Sequence, residues 1–213
     1  MPPAAEKEIH IRFRPVFQEQ TLVLGQSYEL KGQPVRIETL RFYVSQIALI
    51  RKGKTVWQEA NSYHLVDLAE DTSLFFGLTL PSAIKYDSLH FTLGIDSLTH
   101  VSGAMGGDLD PSKGMYWAWQ SGYINFKLEG SSPLSTARGH GFQYHLGGYM
   151  PPYASARSIS LRVPKAEQWT IRVNVGDFLA HTDLAEAHTL MSPGARASAL
   201  SDRAAAIFSC DEK

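Results

Sequence analysis

The sequence holds a single cysteine, Cys210, close to its C-terminal end. One thiol builds no intramolecular disulfide, no Cys-x-x-Cys redox pair and no cysteine-rich zinc site, so chemistry of those kinds is excluded. Long apolar runs are missing as well. No stretch approaches the roughly 18–20 apolar residues that cross a bilayer, and the uncharged aromatic block from Gly114 to Phe126 is far too short. Charge of one sign does not accumulate: 20 Lys and Arg face 21 Asp and Glu, with no run of five or six like charges. That balance gives no electrostatic footprint for nucleic acid or an acidic membrane. The opening Met1-Pro2-Pro3-Ala4-Ala5-Glu6 lacks a basic segment followed by an apolar one. It leaves either an intracellular chain or one whose signal segment has been removed.

Local catalytic motifs are equally scarce. Asp108-Leu109-Asp110-Pro111-Ser112 begins like a calcium loop, but the sixth position is Lys113 where glycine is needed and the twelfth is Trp119 where glutamate is needed. Gly139-His140-Gly141 lacks the third glycine of a dinucleotide fingerprint. There is no phosphate-binding Gly-x4-Gly-Lys loop, no Gly-x-Ser-x-Gly nucleophile elbow and no His-Glu-x-x-His helix. Acidic residues are scattered, with nothing local to pair two of them for glycoside hydrolysis. The expectation is a binding protein rather than an enzyme.

What is present is strand patterning. Ile9, Ile11 and Phe13 alternate with His10, Arg12 and Arg14, the period of two that separates the faces of a strand. Leu40 to Ile50 carries Phe42 and Val44 in one phase and Ile47 and Leu49 in the other, which predicts a bulge near Ser45 and Gln46. Further short runs lie at 63–68, 89–95, 116–128, 142–146, 159–163 and 169–175, separated by Gly, Pro, Asp and Ser clusters. The pattern predicts an all-β fold, an antiparallel β-sandwich of about nine strands, with residues 9–213 as one domain and residues 1–8 as a disordered N-terminal segment. A C-terminal helix is predicted to start at Ser192 and Pro193, with Leu200, Ala204, Ile207 and Phe208 on one face. A long Gly/Asp/Ser/Pro loop covers 99–114.

Eight histidines are many for this length, and neutral imidazole is the commonest ligand for copper, zinc and iron. His10 and His90 read as polar-face residues and His140 as a loop residue. His145 stands opposite Phe142, Tyr144 and Leu146 at a strand end before Gly147-Gly148, and His64 has the same setting in Tyr63-His64-Leu65-Val66-Asp67. Spacing alone favours a polar strand face over ligation for both. His188 lies three residues before Met191, and Met150 follows His145 by five; imidazole with thioether would suit Cu(I). Trp117 and Trp119 sit in Gly114-Met115-Tyr116-Trp117-Ala118-Trp119-Gln120-Ser121-Gly122-Tyr123 and share a face if this block is a strand. Two such indoles serve as core, as a sugar-stacking platform or as a redox pair beside a metal, and core has the highest prior. A carbohydrate-binding or adhesion module stacking on Tyr116, Trp117, Trp119, Tyr123, Tyr149 and Tyr153 is the rival reading.

Several segments together resemble one family. Phe42-Tyr43-Val44-Ser45, Tyr63-His64-Leu65-Val66-Asp67, Leu93-Gly94-Ile95-Asp96-Ser97, the run Gly107 to Gly130 and Phe142-Gln143-Tyr144-His145-Leu146-Gly147-Gly148 are similar to the MbnP family. These are periplasmic copper-binding proteins related to the copper-repressible surface proteins of methane oxidisers. The resemblance implies a periplasmic or secreted β-rich protein holding one copper through histidines. It also implies pairing with a di-haem, peroxidase-like enzyme of the MbnH type that oxidises a tryptophan of its partner to kynurenine. By motif the ligands would be His64 and His145 and the modified residue Trp117 or Trp119; His188 is a third candidate ligand on its place beside Met191 before the final helix. Many relatives carry four cysteines; this chain has one.

Overall fold

The computed structural model of the chain describes residues 5–119 and 122–211. In chain order its strands are β1 (Glu6–Phe17), β2 (Gln20–Thr21), β3 (Ser27–Leu30), β4 (Gln33–Arg51), β5 (Lys54–Gln58), β6 (Tyr63–Asp67), β7 (Phe75–Pro81) and β8 (Ser88–Leu93). There follow β9 (Tyr116–Trp117), β10 (Gly122–Ser131), β11 (Gly141–Gly147), β12 (Arg157–Arg162), β13 (Gln168–Asn174), β14 (Thr189–Leu190) and β15 (Phe208–Cys210). Helices α1 (Ser97–Val101), α2 (Val175–Ala180) and α3 (Ala195–Ala206) are short.

The expected sandwich and terminal helix are both present. A smaller sheet runs β15-β13-β1-β2, with β7 sharing with β2 the edge of β1 away from β13; a larger one runs β12-β8-β4-β10-β11-β14, with β3, β5 and β6 also on β4 and β9 on β10. Most pairs are antiparallel, but β1 with β13 and β11 with β14 are parallel, so the sheets are mixed. Residues 6–8, expected to be disordered, begin β1, because β7 pairs with that strand back to Glu6 opposite Pro81. Residues 1–4 lie outside the described residues.

The 19-residue β4 is the spine of the larger sheet. Its predicted bulge is there: Gln46 has φ 53° and the register with β8 shifts between Ser45 and Ala48. The extra residue returns Ile47 and Leu49 to the face already used by Phe42 and Val44, and all four enter one core. That core fills the space between the sheets with Ile11 and Phe13 of β1, Trp169 and Ile171 of β13, Phe126 of β10 and Tyr144 of β11. Phe13 meets Phe42 edge-on at 5.5 Å.

At the C-terminus the helix begins later than predicted. Gly194 is the residue before α3, with Ser192 and Pro193 upstream, and Phe208 has passed into β15. Leu200 and Ala204 are buried as the helical spacing demanded.

The other face of the larger sheet carries a second, smaller apolar cluster. Tyr43, Leu65, Ile95, Leu109, Met115, Trp117, Tyr123 and Ile124 form it beneath the excursion between β8 and β10. Phenols tie this excursion down. Tyr43 Oη donates to Asp108 O at 2.9 Å, and Tyr123 Oη accepts from Met105 N at 3.0 Å and donates to Leu109 O at 3.1 Å. Burial pushes both phenols' pKa values up, so they stay protonated donors.

Candidate functional site

Strand parity decides which side chains can meet. Asp67 of β6 is opposite Arg41 of β4, Arg41 is opposite Lys127 of β10, and Lys127 is opposite His145 of β11. Directly opposed residues project from one face, so these four share the outer face, and the Arg41–Asp67 ion pair at 2.7 Å agrees. His64 precedes Asp67 by an odd step and is opposite Val44, a core residue, so it projects from the inner face. The expected convergence of His64 and His145 does not occur: the sheet itself stands between the two imidazoles.

Each ring is already engaged. His64 stacks on Phe76 at 3.9 Å and its Nε2 lies 2.8 Å from Glu59 Oε2. It lines a cleft of about 530 Å³ along the β6 edge, together with Phe75, Phe76, Asp67, Asp108 and Lys113. His145 is buried, with Nε2 2.7 Å from Glu129 Oε1. That hydrogen bond, reinforced by Thr39 and Lys127 against the cost of burial, holds the Glu129 carboxyl down at about 2. His188 precedes the edge strand β14, with Nδ1 3.0 Å from the Thr189 hydroxyl. Among the described residues no group of three or more His, Cys, Asp and Glu side chains could hold a metal ion.

The aromatic block is a hairpin rather than one strand. Trp117 ends β9, paired with Gly122, while Ala118 and Trp119 lie in the turn; Gln120 and Ser121 are outside the described residues. Trp117 is 5 % exposed and Trp119 66 %, yet their rings remain 5.5 Å apart at a 40° tilt. The ring of Trp117 lies on the β11 backbone: a Cβ at Gly147 would fall 2.6 Å from its Cζ3. Gly147 is two residues past His145 on the same strand, about 7 Å at ordinary strand rise, so His145 and Trp117 are neighbours on the outer face. Trp117 and Tyr123 are buried, so the six rings of the stacking surface form no single open platform.

Sequence reasoning passed over His100. Its backbone turn is set by Asp96, which caps α1 by accepting from Thr99 N at 2.9 Å. The side chain is buried, with Nδ1 accepting from Tyr123 N at 3.0 Å and the ring stacked on Tyr149 at 5.0 Å. Its Nε2 is buried without a well-formed hydrogen bond, although Asn125 and Ile95 lie close enough to favour the ring's protonated form, and Trp117 Nε1 is buried with no partner. Burial pushes the His100 pKa down, which keeps the ring neutral and Nδ1 an acceptor. Tyr149 and Trp117 line one cavity of about 180 Å³ that also takes in Met150, Tyr153 and Pro193. The only signal in the sequence was Asp96 three residues before Thr99, a cap that marks a helical turn in the middle of the long loop.

Comparison with known proteins closes on this architecture. The MbnP family model matches residues 6–192. The chain belongs to the MbnP family. The solved structure of MbnP from Methylosinus trichosporium is similar to it with a TM-score of 0.65 at 16 % identity, covering 90 % of this chain and 83 % of that one. At that identity the likeness to the solved MbnP speaks for the fold. A search of curated proteins returns no match. Among the described residues no helix is long and apolar enough to cross a membrane.

Proposed function

We propose that this MbnP-family chain is a periplasmic copper-binding protein, not an enzyme, and that its copper is held on the outer face beside Trp117. The observation that carries this reading is the outer-face hollow beside Trp117, where the Met150 thioether and Tyr149 share one cavity and the neutral His100 ring stacks on Tyr149.

The donor chemistry fits a soft cation. Met150 would offer a thioether on the Trp117 cavity and His145 an imidazole on the same face, and His100 would add a second imidazole on giving up its bond from Tyr123 N, since the tautomer that accepts that bond carries its proton on Nε2. Copper bound there would supply soft Lewis-acid and one-electron chemistry. His64, on the inner face, is outside this set, and so is His188, which precedes Thr189 by one residue where Thr189 is opposite Gln143 on the face of His145. Trp117, seated on β11 and lining one cavity with Tyr149, is the tryptophan whose oxidation to kynurenine by a di-haem partner would bring new amine and carbonyl groups to the same place. Trp119, exposed at 5.5 Å, is the indole such a partner would meet first.

Metal analysis after copper loading tests the reading. The parent chain should carry about one copper, and His100→Gln and His145→Gln should each lose most of it. Unchanged stoichiometry in both variants would remove the outer-face site. Tryptic mass mapping after co-expression with the di-haem enzyme should find the change at Trp117; an unmodified Trp117 peptide would exclude that role.

A further inference from the structure

At the end of the sandwich opposite in character to the Trp117 cavity, a groove of about 650 Å³ opens between the two sheets. Lys7 of β1, Arg51 and Lys52 of the β4–β5 hairpin, Lys85, and Lys165 of the turn before β13 bring their cationic side chains to it. These five positions are far apart in the sequence, so no charge run announces them. Among the described residues none of the five has a carboxylate oxygen within 4.0 Å, whereas Arg14, Arg41, Arg157 and Arg172 elsewhere are each in an ion pair.

The acidic residues at the groove are Glu8, Asp87 and Glu167, which leaves a local net charge of +2 in a chain whose total is −1. Asp87 is already engaged: Lys52 N and the Ser88 hydroxyl each donate to it at 2.9 Å, which holds its carboxyl below the usual range. Glu8 lies 3.8 Å from His10. The walls are fixed and partly apolar. Tyr86 packs edge-on against buried Trp169 at 5.4 Å, Lys7 Nζ stands 5.2 Å over the Tyr86 ring, and Ile9 and Ile84 add aliphatic surface.

We propose that this groove docks an acidic polypeptide segment of a partner protein. Unpaired cationic side chains on the rim attract carboxylates without first breaking internal ion pairs, and the aliphatic and phenolic walls accept the methylenes of glutamate side chains. The binding is electrostatic in origin and is screened as the Debye length shrinks.

The test titrates fluorescently labelled poly-L-glutamate into the full chain at about 20 mM and about 150 mM salt, where screening differs strongly. The parent should bind, more weakly at the higher salt, and Lys52→Glu/Lys165→Glu should bind about tenfold more weakly or worse. Both lysines are exposed, so an unchanged melting temperature verifies the fold. Arg196→Glu, on exposed α3 surface, should bind as the parent does. No binding by the parent, equal binding by the double variant, or an equal loss in Arg196→Glu would overturn the proposal. Binding to phosphatidylcholine/phosphatidylserine vesicles without binding to poly-L-glutamate would overturn it in favour of a lipid surface.

Discussion

The two faces of the larger sheet are built by different rules. The inner face is a wide, dry interface in which Phe42 and Phe91 meet Phe13 and Phe208, and Phe126 stacks on Phe42, with no polar group among them. The outer face holds a cluster of eight buried residues interleaved with ion pairs, phenols that anchor loop backbone, and two buried nitrogens without a well-formed hydrogen bond. Apolar area supplies the stability on one side, and the other side carries unsatisfied polar chemistry that such stability can support. The inner core has its own unpartnered polar atom, the Tyr144 hydroxyl, but there it is surrounded by apolar side chains rather than by a second set of polar groups.

The comparison is broken most severely from the inside. Phe42→Ala removes a ring that touches three others in the dry core and should cost about 3–5 kcal/mol, read as a large drop in urea midpoint. On the outer face Gly147→Ala should cost less, about 1–3 kcal/mol, yet disturb the site more, because the added methyl occupies the space of the Trp117 ring. Its signature is red-shifted tryptophan emission together with lost copper; an unshifted spectrum with copper retained would show that Trp117 is not seated on β11.

Acid sharpens the same contrast. The Glu129 carboxyl, held at about 2 against an ordinary 4.5, stabilises the fold above pH 4.5, and that contribution disappears as pH falls toward 2. Glu129→Gln should therefore be less stable than the parent by about 2 kcal/mol at pH 7, with the gap closing below pH 3. A gap that is constant with pH would deny the His145–Glu129 pairing. The smallest effect belongs to His64→Ala, which loses a stack on Phe76 and a bond to Glu59 at a half-buried edge. About 1 kcal/mol is expected, with copper content unchanged.

Strands, bulge and terminal helix were legible in the sequence because each is written in local periodicity. The phase change between Val44 and Ile47 announces the bulge at Gln46 directly. The site was legible only in part. His145 and Trp117 were marked by strand ends and aromatic density, but which face His64 takes depends on register across three strands, and no local pattern encodes it. His100 was hidden because its burial comes from Tyr123 and Tyr149, 23 and 49 residues away along the chain. The cationic groove was hidden for the same reason, its lysines being gathered by the meeting of two sheets.

Imidazole nitrogen NMR of the full chain, recorded before and after one equivalent of Cu(I), reads the two faces side by side. The His100 and His145 resonances should shift while those of His64 stay in place. A shifted His64 with an unmoved His100 would put the metal on the inner edge and contradict the outer-face site.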